Sequence, residues 1–146
     1  MTNLNTDSSS VQSYLTILQN IISRMASNSA SCKTWCVTLV SAILVLIADK
    51  SKPDYALIAV IPILLFFFLD AYYLGLERGF RDSYNEFIKK LHANSAVVED
   101  IFIVSPGGGT LHILGLTFKS LYSISVWPFY GVLLVMVQVA KKCVLS

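Results

Sequence analysis

Three stretches of this chain, Thr34–Ala48, Tyr55–Gly75 and Ser120–Ala140, carry almost no charge. Nothing else in the sequence limits the fold as strongly. A bilayer core about 30 Å thick is crossed by roughly 20 apolar residues of helix. The second and third stretches have that length, and the first comes close to it if Ser31–Lys33 is counted. With 55% hydrophobic residues over 146 positions and a mean hydropathy of +0.65, the chain is too apolar for a water-soluble domain. What lies outside the stretches is split into pieces too small for a core of their own, since domains below about 40 residues need staples or partners. The expected state is a homo-oligomer in a lipid bilayer.

The segments between the stretches are built for water on one side. Val11, Tyr14, Leu18, Ile21, Ile22 and Met25 recur at three-four spacing and predict an amphipathic helix. Asp7 and Ser8–Ser10 offer N-cap chemistry ahead of it. Ser27–Ser31 then either loosens the path into the first span or continues the helix with a small-residue face. After the second span, Phe80, Tyr84, Phe87, Ile88 and Leu91 share one helix face, while Glu77–Arg81 and Glu86–Lys90 are acid-before-base pairs at i,i+4. A helix running unbroken from Tyr55 to Leu91 would be about 55 Å long, some 25 Å more than the bilayer core. The two apolar stripes are expected to cover each other as a cytoplasmic collar, within or between subunits.

Pro53 in the turn Ser51–Asp54 makes the first two spans an antiparallel hairpin, and Pro62 should kink the second or free a carbonyl. Ile101–Val104 and Leu111–Leu116 flank Pro106–Gly109 and read as a β-hairpin with a Gly-rich loop. The expected fold is an all-α membrane protein with three transmembrane helices, an amphipathic N-terminal helix, a long cytoplasmic extension of the second span and a small β-hairpin. Its parts are an N-terminal arm at 1–31, the helix hairpin at 32–76, the cytoplasmic helix with the Gly-rich hairpin at 77–118, and the third span with its tail at 119–146. Arg24, Lys33, Arg78, Arg81, Lys89, Lys90 and Lys119 outnumber Lys50, Lys52, Lys141 and Lys142, which puts the N-terminus in the cytoplasm and the C-terminus outside. No basic n-region leads into an apolar core at Met1–Ser10, so a cleavable signal peptide is not expected there.

Asp70, inside the second apolar run, is the foremost functional candidate. Ionisable groups at membrane depth face a bundle interior or a wet cavity. One Asp70 per subunit would form an acidic ring favouring cations at a pore mouth; the plainer alternative is a carboxylate hydrogen-bonded or solvated a turn inside the interface. Thr34, Thr38, Ser41 and Ala48 recur on one face of the first span, interrupted by Val45, and suit either close helix packing or a narrow ion path. Arg78, Arg81, Lys89 and Lys90 offer positive charge on which a cytosolic signalling protein or a nucleotide-like ligand could act.

Other chemistry is sparse. Cys32, Cys36 and Cys143 lack disulfide or metal-ligand spacing, and Cys32 and Cys36 read as packing residues, with acylation of Cys32 a lesser alternative. His92 and His112 read as surface or packing residues. Gly107–Gly109 reads as a turn, since it lacks the lysine of a phosphate-binding loop and a helix start after it. Cys143–Ser146 matches a prenylation pattern, but the expected topology places it outside. No cofactor, metal, nucleic-acid partner or catalytic arrangement is expected. A channel or a non-conducting membrane scaffold fits better than an enzyme.

The helix hairpin followed by Asp70-Ala71-Tyr72-Tyr73-Leu74-Gly75-Leu76-Glu77-Arg78-Gly79-Phe80-Arg81 and an amphipathic helix resembles SLATT-type proteins, over roughly Ser31–His92. These are small bacterial membrane proteins that occur with nucleotide-signalling and other conflict systems. The resemblance implies an oligomeric effector that perforates or depolarises the inner membrane when a partner signals infection. The third apolar stretch and the Gly-rich segment are departures from that two-span pattern.

Overall fold

A computed structural model describes residues 7–50 and 53–143. Its first element, α1 (Ser9–Lys50), is a single helix of 42 residues. No Gly or Pro interrupts that sequence, so Ser27–Ser31 continues the helix, as one of the two readings of that segment has it. Ser8 is the N-cap, its Oγ accepting from the Val11 amide at 3.4 Å.

A 3₁₀ turn, Pro53–Ala59, leads into α2 (Val60–His92), 33 residues long. Pro62 therefore stands in the first turn of α2, where its missing N–H costs little, and not in the middle of a span. Ser51 and Lys52 of the connecting turn lie outside the described residues, as do Val144–Ser146 of the prenylation pattern. α2 ends where Asn94 takes a left-handed conformation (φ 52) and the Ser95 amide reaches back to the Lys90 carbonyl at 2.9 Å.

α1 and α2 form an antiparallel hairpin with two cores. In the upper one Val11, Tyr14 and Leu18 meet Phe80, Phe87 and Leu91 in the same chain, with Ala96 and Ile101 folding back over them. In the lower one Cys36 and Val40 meet Ala59, Ile63 and Ala71, closed by Val126 just ahead of a fourth helix and by Tyr130, Leu133 and Val137 within it.

The expected β-hairpin and third span are both overturned. Among the described residues there is no strand, and Leu111–Leu116 belongs to helix α3 (Gly109–Leu121). Helix therefore does start after the glycines: Gly108, at φ 81, turns the chain into it, and a Cβ there would lie 2.5 Å from the His112 ring. α3 docks on α2 at Gly75 and Gly79, where added Cβ atoms would lie 2.6 Å from Thr117 Oγ1 and 2.5 Å from Ile113 Cδ1. This close approach is what turns an apolar, β-branched segment into helix.

The apolar run Ser120–Ala140 is broken in its first quarter. Backbone bonds from the Ser123 and Val126 amides to the Ser120 and Ser123 carbonyls form an elbow, and α4 begins only at Trp127. α4 (Trp127–Cys143) has 17 residues, about 25 Å at 1.5 Å per residue. Among the described residues two helices, α1 up to Ala48 and α2 with its preceding turn from Tyr55, are long and apolar enough to cross a membrane; three were expected. The elbow is what shortens the third.

Candidate functional site

Asp70 is fully buried, at 0% exposure, on the face of α2 that meets α1. One turn of α1 supplies both partners. Ser29 donates its hydroxyl to Asp70 Oδ1, and Lys33 Nζ lies 2.6 Å from Oδ2. Four residues separate Ser29 from Lys33, so both project from one helix face. Lys33 is itself only 22% exposed, which makes this a largely desolvated pair. Such pairs are held by geometry: the attraction roughly repays desolvation while both charges are present, and removing one leaves the other stranded. From α4, the buried Tyr130 hydroxyl stands in the electrostatic field of Asp70 without a well-formed hydrogen bond of its own. Three helices thus converge on one carboxylate.

The hydroxyl residues of α1 lie elsewhere. Ser31, Thr34, Thr38 and Ser41 are exposed on the outer surface of α1. Thr38 Oγ1 donates to the Thr34 carbonyl at 2.9 Å, and Thr34 Oγ1 to the Ala30 carbonyl at 3.4 Å. In the single chain Asp70 and this stripe are on different faces and are not brought together.

The basic residues of the upper bundle also separate. Arg78 donates to the hydroxyls of Ser120 and Ser123 at 3.0 and 3.2 Å, holding the elbow before α4. Arg81 pairs with Glu77 at 2.8 Å. Lys90 pairs with Asp100 at 2.8 Å and stands 4.0 Å from Glu86, while Lys89 is exposed. The hydrogen bond with Asp100 raises the Lys90 pKa. Asp100 is lowered by the same bond, helped by the Val97 amide at 3.0 Å. Burial, then the nearby Asp100 charge, raises Tyr14, whose hydroxyl donates to the Ile103 carbonyl at 2.8 Å.

Of the remaining collar residues, Ile21, Ile22, Met25, Tyr84 and Ile88 are partly buried against the upper core. His112 Nε2 lies 3.6 Å from Asp82 Oδ2. Cys32 and Cys36 are buried free thiols. No cluster of three or more metal-ligating side chains occurs among the described residues.

Sequence reasoning singled out Asp70 but not its partners. Ser29 and Lys33 share a face at a four-residue spacing, a usable signal. Gly75 and Gly79 have the same spacing, the small-xxx-small pattern that admits a second helix. For the Arg78 bridge to Ser120 and Ser123 the sequence holds no local sign. No family model, curated protein or solved structure matches this chain.

Proposed function

We propose that this chain is a homo-oligomeric, channel-like effector of a bacterial inner membrane, with its N-terminus and upper bundle in the cytoplasm. The observation that carries the reading is the bare hydroxyl stripe on α1. Ser31, Thr34, Thr38 and Ser41 are exposed on the half of α1 whose other exposed side chains include Trp35, Val45 and Leu46. Polar side chains at membrane depth are costly against lipid and are turned toward other helices or water. In an oligomer with the stripes inward, they line the path, and the Lys33–Asp70 pairs ring its cytoplasmic mouth. Paired, the mouth carries no net charge; with Lys33 displaced, the acidic ring favours cations.

Arg24, Lys33, Arg78, Arg81, Lys89 and Lys90 all lie toward one end of the hairpin, which supports the cytoplasmic placement of that end. The likeness to SLATT-type proteins supports a role in anti-phage defence. In this reading a signalling protein or nucleotide-like ligand acts on the upper bundle and shifts α1 against α2.

A second reading, a non-conducting anchor that recruits a cytosolic partner, is favoured by one observation. The Thr34 and Thr38 hydroxyls already donate to carbonyls of their own helix, so they need no water. Planar-bilayer recording of crosslink-verified oligomers of the wild type and Lys33→Gln separates the two. The channel reading expects discrete, cation-selective steps from Lys33→Gln even without a trigger. Silence from that variant in assembled protein decides for the anchor.

A further inference from the structure

Among the described residues, the buried side-chain oxygens that lack a hydrogen bond are Asp70 Oδ2 and the Tyr130 hydroxyl. One is an acceptor without a donor, the other a donor without an acceptor. Both stand where α1, α2 and α4 converge. Lys33 Nζ, 2.6 Å from Oδ2, holds that oxygen by charge but without the alignment of a hydrogen bond.

A buried hydroxyl that pairs with nothing is a cost, and phenylalanine would avoid it. The ring of Tyr130 has contacts of its own: it meets Phe67 and Phe129 edge to face, with centroids 5.6 and 5.0 Å apart. Packing therefore accounts for an aromatic ring at position 130 and not for its hydroxyl. That hydroxyl lies in the field of the Asp70 carboxylate, so the open oxygen Oδ2 is its natural acceptor.

Lys33 has a way out. Its side chain is 22% exposed, and its neighbour Thr34 stands on the bare surface of α1. A long flexible stem lets an ammonium swing to water or headgroups while the helix stays in place. The obstacle is the carboxylate left behind, a buried charge without its partner.

We propose that Tyr130 is the reserve donor of Asp70: when Lys33 swings out, the Tyr130 hydroxyl donates to Oδ2 and keeps the carboxylate satisfied. The exchange replaces a tie between α1 and α2 by one between α4 and α2, leaving Ser29 to hold α1 at Oδ1. A hydrogen bond to a charged group is worth roughly ten- to a hundredfold in an equilibrium constant. The exchange needs no conduction and stands apart from the channel reading.

The test is a cycle of variants of the full chain in detergent micelles, with the folding equilibrium read by denaturant titration. In the wild type Tyr130→Phe should leave the folding constant unchanged or raise it, since the hydroxyl pairs with nothing. In Lys33→Met, where the hydroxyl holds the carboxylate, the same substitution should lower it at least tenfold. A merely structural tyrosine gives the same effect in both backgrounds, and that result overturns the proposal. A second readout leaves Lys33 in place: acetylation by an amine-reactive reagent, followed by peptide mass spectrometry. Lys33 reacts while displaced, so Tyr130→Phe should slow its labelling at least tenfold, with the exposed Lys89 and Lys119 unchanged. Equal Lys33 rates in Tyr130→Phe and the wild type would overturn the proposal even if Lys33→Met fails to fold.

Discussion

The two halves of the α1–α2 hairpin are built on opposite plans. The upper half buries large side chains, Tyr14, Leu18 and Phe87 among them, and turns Gln12, Asn20, Arg81 and Asn85 outward. Tyr14 and Phe87 meet edge to face with ring centroids 4.8 Å apart. In the lower half the core includes the small side chains of Cys36, Ala59 and Ala71, while Trp35, Leu46, Leu65 and Phe68 stand bare. Water drives the upper plan, because apolar area must be hidden from it. The lower plan is one that a lipid solvent would permit, since close approach of small residues would then be the means of association. The same two helices pass from one plan to the other near Asp70, where the one buried ion pair of the described residues sits.

The sharpest way to break this comparison is at that junction. Asp70→Ala strands the Lys33 ammonium and should cost about 3–5 kcal/mol, read as loss of the folded form in detergent-titrated unfolding. The double variant Asp70→Leu/Lys33→Leu should recover most of that loss; if it is as unstable as the single variant, the pair does not carry the effect.

Next in size, Phe87→Ala should cost about 3–5 kcal/mol in the upper core. Hydrogen exchange should show the loss in residues 9–25 and 80–92, with 36–47 and 60–71 still protected. Leu65→Ala, at a 62% exposed position, removes similar chemistry from the lower half and should change stability by at most about 0.5 kcal/mol. Equal effects from the two substitutions would mean that both halves fold against the same solvent.

Gly75→Ala pushes a Cβ to 2.9 Å from the Thr117 backbone amide and should cost about 1–3 kcal/mol by overpacking. Its signature is faster exchange in α3 with the hairpin unchanged; unaltered exchange in α3 would remove the close approach as the reason for its docking.

The smallest effect belongs to Lys90–Asp100, with Lys90 39% exposed. Asp100→Asn should cost less than about 1 kcal/mol. The Asp100 contribution, from a lowered pKa, is present above the usual carboxylate range and lost as pH falls through the folded value. That of Lys90, from a raised pKa, is lost only as pH rises past its ordinary value of 10.5. Melting curves across pH should therefore show a small plateau between those limits in the wild type that Asp100→Asn lacks.

Residue spacing alone was enough to find the amphipathic stripes, Val11 to Met25 and Phe80 to Leu91, and to read the first two apolar runs as paired helices. Apolar content alone was a poor guide to Leu111–Leu116, because β-branched residues suit a strand and a helix equally until a partner surface is known. Gly75 and Gly79 are that surface. Length alone misjudged Ser120–Ala140, because its break depends on the Arg78 guanidinium, 42 and 45 residues away from Ser120 and Ser123.

What the sequence determined by itself is the set of faces: periodicity is local, so each helix carries its own record of which side avoids water. What only the tertiary structure decided is the pairing: that Asp70 belongs to Ser29 and Lys33, that α3 seats on two glycines, and that the chain turns at Ser123. Those outcomes depend on groups far apart in the chain meeting at contact distance, and no spacing within one segment encodes them.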